Sequence, residues 1–120
     1  MKFIDVTLRD GGHQHNFNWP LEFVKRYLES VNSFGEIEFV ELGYWKQSGK
    51  FDGAFYSIDE KLLKSICQMT KKKLSIMVDF HYCSHNVEDF PRNIDFNELG
   101  LIRVCLRKED VKEGCKFVKE

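Results

Sequence analysis

The sequence predicts an α/β fold built from parallel βα repeats, and three observations carry that prediction. Short runs rich in β-branched and apolar residues alternate with segments whose apolar residues recur at helical spacing. About four such units fill the 120 residues, with no linker, low-complexity tract or other internal repeat between them. Strands separated by helices cannot be joined by tight hairpins, so right-handed crossovers and a parallel sheet follow.

The elements follow in order. Residues 3–8 (FIDVTL) form a first strand, ended by Gly11-Gly12. Pro20 suits a first helical position, Leu21, Val24, Leu28 and Val31 mark the helix face, and Gly35 suits its stop. Residues 37–43 (IEFVELG) form the second strand. A polar and aromatic loop then runs through Ser57, and Ile58, Leu62, Ile66 and Met69 share one face of the next helix. Residues 74–80 (LSIMVDF) are the third strand. The stretch 81–98 has room for one short helix over residues 87–90, before Pro91. Residues 101–106 (LIRVCL) are the fourth strand, and residues 109–120 start a fourth helix with Val111, Cys115 and Val118 on a shared face. Two architectures fit this pattern. One is an open doubly wound sheet, which at this length usually carries five strands; the other is the first half of a (β/α)₈ barrel, whose ~250 residues average roughly 30 per unit.

Composition narrows the class of partner. With 42% hydrophobic residues, 31% charged residues and two prolines, the chain is a single folding unit rather than a disordered one. Eighteen Lys plus Arg against nineteen Asp plus Glu leaves a net charge of −1, so no basic field favours nucleic acid or an anionic membrane. The first ten residues carry four charges, unlike a secretory leader, and no apolar run approaches the roughly 18–20 residues of a membrane span. Cys67, Cys83, Cys105 and Cys115 lack the short paired spacings of zinc or redox motifs and read as reduced thiols of a cytoplasmic protein.

In either architecture ligands gather beyond the C-terminal ends of the strands. His13, His15, His81 and His85 all lie in segments that follow the first and third strands. The densest cluster is Thr7-Leu8-Arg9-Asp10-Gly11-Gly12-His13-Gln14-His15. Asp10 there can hold a metal, Arg9 can orient a carboxylate or enolate, and His13 can move a proton. Asp-Gly-Gly is equally ordinary turn chemistry. His81, Cys83 and His85 spell H-x-C-x-H, read as loop residues beside the mouth of a site in preference to a zinc centre. Asp79 ends the third strand, either facing the same mouth or capping the strand end. Tyr44, Trp45, Phe51, Phe55 and Tyr56 form an aromatic loop that either shapes a substrate pocket or covers the next helix, with packing the favoured reading.

The string IDVTLRDGGHQHNFNW resembles the first-strand signature of the DRE-TIM metallolyases. These barrel enzymes include 3-hydroxy-3-methylglutaryl-CoA lyase, isopropylmalate and homocitrate synthases, and 4-hydroxy-2-oxovalerate aldolase. FVELGYW supplies the matching glutamate, and YSIDEKLL is of the kind seen in aldolase-like members. The specific motifs cover about the first 65 residues, while strand order and spacing agree throughout.

The resemblance implies the N-terminal half of a TIM (β/α)₈ barrel, with residues 1–120 as one unit of a longer protein. Asp10 then corresponds to a carboxylate ligand of a divalent cation, Mg²⁺ or Mn²⁺. Arg9 corresponds to the arginine that pairs with a 2-oxo acid and stabilises its enolate, and Glu41 to the acidic residue that holds the arginine or substrate in place. His13 corresponds to the general base of the 4-hydroxy-2-oxoacid aldolases, which favours that branch over the acyl-CoA synthases. The implied activity is retro-aldol carbon–carbon cleavage through a pyruvate enolate. The family's His-x-His metal pair comes from a seventh strand, and His13-x-His15 does not take that role. The 120-residue chain alone is therefore expected to bind metal weakly and to show no measurable aldolase activity. Two uncovered sheet edges suggest a homo-oligomer of half-barrels. The competing expectation is a self-contained flavodoxin-like regulatory or binding domain, with Asp79 as phosphoacceptor and Asp10 near a cation.

Overall fold

In the computed structural model, which describes residues 1–90 and 99–119, four parallel strands form one sheet in the order β1-β2-β3-β4. The strands are β1 (Phe3–Asp5), β2 (Ile37–Tyr44), β3 (Lys73–Asp79) and β4 (Leu99–Cys105). Helices α1 (Thr7–Gly11) and α2 (Leu21–Val31) follow β1, α3 (Glu60–Cys67) follows β2, and α4 (Val111–Lys119) follows β4. A flavodoxin-like sheet would place β1 in its interior, between β2 and β3. Here β1 lies at an edge and the strands run in sequence order, so the flavodoxin-like alternative does not describe this chain.

One sheet face is apolar and closed. Val40, Leu42, Leu74, Ile76 and Val78 are fully buried in a core shared with Val24, Leu28 and Val31 of α2 and Leu63 and Ile66 of α3. Each such side chain contributes about 1.5–3 kcal/mol by leaving water. The start of α3 is set by Asp59, whose Oδ1 accepts the Leu62 N–H at 2.9 Å.

Several elements differ from the sequence expectation. The first strand ends at Asp5 rather than residue 8: the Thr7 N–H donates to Asp5 Oδ1 at 3.0 Å, and Thr7–Gly11 coils into a short helix that buries Leu8 completely. The motif TLRDG is thus helical and not a strand end followed by a loop. Helix α3 starts after Ile58, which instead bridges to Trp45, and its buried face is Leu63 and Ile66. Strand β4 begins two residues earlier than expected. The segment after it opens with a 3-10 turn (Lys108–Asp110), and the expected buried face of α4 is outward: Val111 and Val118 are 48% and 57% exposed, while Gly114 packs against Leu106. The short helix after β3 is a 3-10 turn over Val87–Asp89; the end of that stretch, residues 91–98, and residue 120 lie outside the described residues. None of the four cysteines is in a disulfide. Among the described residues no helix is long and apolar enough to cross a membrane.

Candidate functional site

The other sheet face is polar at its centre. Glu41 on β2 is opposite Ser75 on β3, and Tyr44 is opposite Met77, so two residues of β3 span three steps of β2. In a regular strand, residues three apart face opposite sides. The irregularity at Leu42-Gly43 turns both Glu41 and Tyr44 toward the same face, the local effect of a bulge. Gly43 suits the place because a Cβ there would collide with the Phe55 carbonyl.

Glu41 is the centre of the site and is fully buried. Arg9 donates from Nε to its Oε1 at 2.9 Å, and Arg103 on β4 grips it with two bonds of 2.7 Å, Nε to Oε2 and Nη2 to Oε1. The Ser75 hydroxyl adds a donor to Oε2 at 3.3 Å. Burial alone pushes the Glu41 carboxyl up, but the hydrogen bonds and charges of Arg103 and Arg9 outweigh it and hold the group below the ordinary 4.5. It is a carboxylate at neutral pH. Its grip on Arg9 follows from α1: the helical turn carries Arg9 over β2, and the buried Leu8 beside it anchors the turn.

His13 sits in the 3-10 turn Gly12–Gln14, beside this cluster. Its ring packs edge-on against Phe17, Phe51 and Tyr44 at centroid distances of 4.9, 5.5 and 6.1 Å, and its Nε2 lies 3.5 Å from the Tyr44 hydroxyl. Burial lowers the imidazole pKa below 6.5, and the charges of Arg9 and Lys50 lower it further against an opposing pull from Asp10. The neutral ring therefore dominates at pH 7, the form that accepts a proton.

The wall behind His13 is the aromatic loop. Phe17 is completely buried although Asn16 and Phe17 both adopt left-handed backbone (φ 56°), a conformation that costs about 1–3 kcal/mol each for such residues. Two backbone bonds from the 50s loop hold the turn, Gly53 N–H to Asn16 O at 2.9 Å and Phe55 N–H to Phe17 O at 3.1 Å. Trp45, Phe55 and Tyr56 are buried, so the aromatic loop packs as expected, and Tyr44 and Phe51 also line His13.

The structure brings Arg9, His13 and Glu41 to one region and leaves other expected groups apart. Asp10 is exposed and meets Arg9 Nη1 at 3.5 Å. Among the described residues no set of three or more His, Cys, Asp or Glu side chains gathers as a metal site, so they do not by themselves fit a divalent cation. The H-x-C-x-H residues diverge. His81 faces Asp110 at 3.9 Å, the His85 ring stacks on Phe80, and burial raises the Cys83 thiol to about 11. Asp79 spends Oδ1 on the His81 N–H, a strand-end turn contact at 3.1 Å. The His15 ring packs against Trp19 at a centroid distance of 5.0 Å.

Arg103 escaped the sequence reading. Its signal was a lone cation inside an otherwise apolar strand, LIRVCL, where a buried charge requires a partner. The bulge had a signal too, a glycine inside the strand pattern of FVELGYW.

The fold and this cluster define an α/β chain with a buried, ion-paired carboxylate on one face of a parallel sheet and a neutral histidine beside it. A solved structure shares that fold: the N-terminal domain of a candidate aldolase from Bacteroides vulgatus superposes with a TM-score of 0.82 at 24% sequence identity. The match covers 99% of this chain and 40% of that one, so the chain spans less than half the length of its structural neighbour. No protein-family model and no curated protein matches the sequence.

Proposed function

We propose that this chain is the N-terminal half of a (β/α)₈ barrel lyase that cleaves a carbon–carbon bond of a 2-oxo acid. The observation that carries the reading is Arg9 held by the buried Glu41, with a neutral His13 near enough to feel the Arg9 charge. The sequential parallel strand order supports the barrel, because a closing barrel adds each new strand beside the last. That the structural neighbour is the N-terminal domain of a candidate aldolase supports an aldolase-like reading.

In the proposed step His13 removes the proton from the 4-hydroxyl of the substrate. The hydroxyl carbon becomes an aldehyde as the bond to C3 breaks, and the electron pair enters a pyruvate enolate. Arg9 places positive charge at the developing oxyanion, which lowers the barrier because that charge is absent from the ground state. The protonated imidazole then returns a proton to the enolate carbon. Glu41 keeps Arg9 in place. Asp10 would be one oxygen ligand of a divalent cation, Mg²⁺ or Mn²⁺, with the other ligands supplied from outside the described residues; such an ion would polarise the 2-oxo acid.

The test is pyruvate release from 4-hydroxy-2-oxovalerate with Mn²⁺. A protein carrying this chain at the length of its structural neighbour is expected to turn over, and R9A or H13A to lower its rate by about 10²-fold or more. The isolated 120-residue chain is expected to show no rate above background. Turnover by the isolated chain would contradict the half-barrel reading, and none by the longer protein would remove the lyase.

A further inference from the structure

The proposed chemistry assigns the substrate anion to Arg9 alone, but a second guanidinium stands beside it. Arg9 Nε and Arg103 Nη2 donate to the same oxygen, Glu41 Oε1, at 2.9 and 2.7 Å. Sharing that oxygen keeps the two cations within two hydrogen-bond lengths of each other, on one face of the sheet. Like charges held so close repel, and Glu41 offsets only one of the two. Asp10 meets Arg9 at 3.5 Å, but its side chain is 75% exposed, where water screens its charge.

The donors are also only partly used. A guanidinium has five N–H groups in a fixed fork. Glu41 takes one from Arg9 and two from Arg103, and Asp10 takes a second from Arg9. Each arginine keeps donors for a ligand, and their side chains are 17% and 36% exposed, reachable yet partly shielded from solvent. Paired, partly desolvated guanidinium groups suit a planar carboxylate.

We infer that Arg9 and Arg103 together form one binding site for the carboxylate of a small ligand, with the buried Glu41 as the strut that sets their spacing. The identity of that ligand as a 2-oxo acid rests on the proposed function; the two-arginine site does not.

The experiment titrates the ¹⁵N-labelled chain with pyruvate, acetate and methyl pyruvate while following the arginine Nε–Hε signals. Pyruvate is expected to shift both Arg9 and Arg103, and the uncharged ester neither. R103K keeps the charge but loses the fork, and is expected to weaken pyruvate binding about tenfold, the effect of one lost charge-assisted hydrogen bond. R103M should weaken it further; if that variant fails to fold, R103K alone decides. Unchanged affinity in folded R103K, with Arg9 still responding, would overturn the shared site and leave the lyase reading intact. Absence of a shift at both arginines with every carboxylate would overturn it as well. Equal response to acetate and pyruvate would support the two-arginine site while removing the 2-oxo acid from the proposed function.

Discussion

Glu41 shows how one residue couples folding to the site. A carboxylate with no exposed surface is tolerable only with compensating donors, and Arg103, Arg9 and Ser75 supply them. E41A removes the anion and leaves two guanidinium groups facing each other, so it is expected to cost about 3–5 kcal/mol in urea unfolding. The pH dependence has a defined sign. Because the folded carboxyl titrates below 4.5, the folded state binds fewer protons than the unfolded state as acid is added. The stabilisation is complete above the ordinary value and is lost as pH falls through the lowered one. E41Q, which has no charge to lose, should flatten that acid limb of the stability curve. An unchanged limb in E41Q would show that other carboxylates produce it.

At the scale of elements, the site depends on how the 50s loop clamps the turn after α1. Gly53 is buried, and a Cβ there would collide with the Asn16 and Phe17 backbone. G53A therefore has to push that turn away. It is expected to lose about 1–3 kcal/mol, the ordinary cost of overpacking, and to move the His13 ring signals in an NMR spectrum. A G53A protein with wild-type stability and unmoved His13 signals would show that the clamp does not position the histidine. The bulge in β2 acts in the same way on the sheet side, since without it Glu41 and Tyr44 would face opposite layers.

At the scale of the whole molecule, β1 and β4 are the outer strands of the described sheet, and Phe3, Ile4 and Ile102 on them are 51%, 38% and 41% exposed. Open parallel edges with apolar side chains favour pairing with another strand. The isolated chain is proposed to associate with itself through those edges, and light scattering over a dilution series should show a mass above that of one chain at the concentrated end. A single-chain mass throughout would mean that these edges stay unpaired in water. Phe3→Lys and Ile102→Lys together, which place like charge on both edges, should shift the mass toward one chain.

Much of this was legible in the primary structure. Strand–helix alternation announced the parallel α/β sheet, because helix and strand periodicities differ and a parallel crossover needs a long connection, most often a helix. Arg9, His13 and Glu41 stood out through motif spelling, and the structure gathers them in one region. What the sequence left open was decided by contacts between distant residues. Strand order separated a sequential sheet from a doubly wound one, and no local pattern encodes it. The helical form of TLRDG came from burying Leu8, and the outward stripe of α4 came from Gly114 packing on Leu106. Arg103 lies 62 residues from Glu41, and only the fold that sets β4 beside β3 brings its charge to that carboxylate. The sequence by itself determined which groups carry charge and which segments must be buried; the tertiary structure decided which charges meet, because pairing energy depends on distance in space and not along the chain.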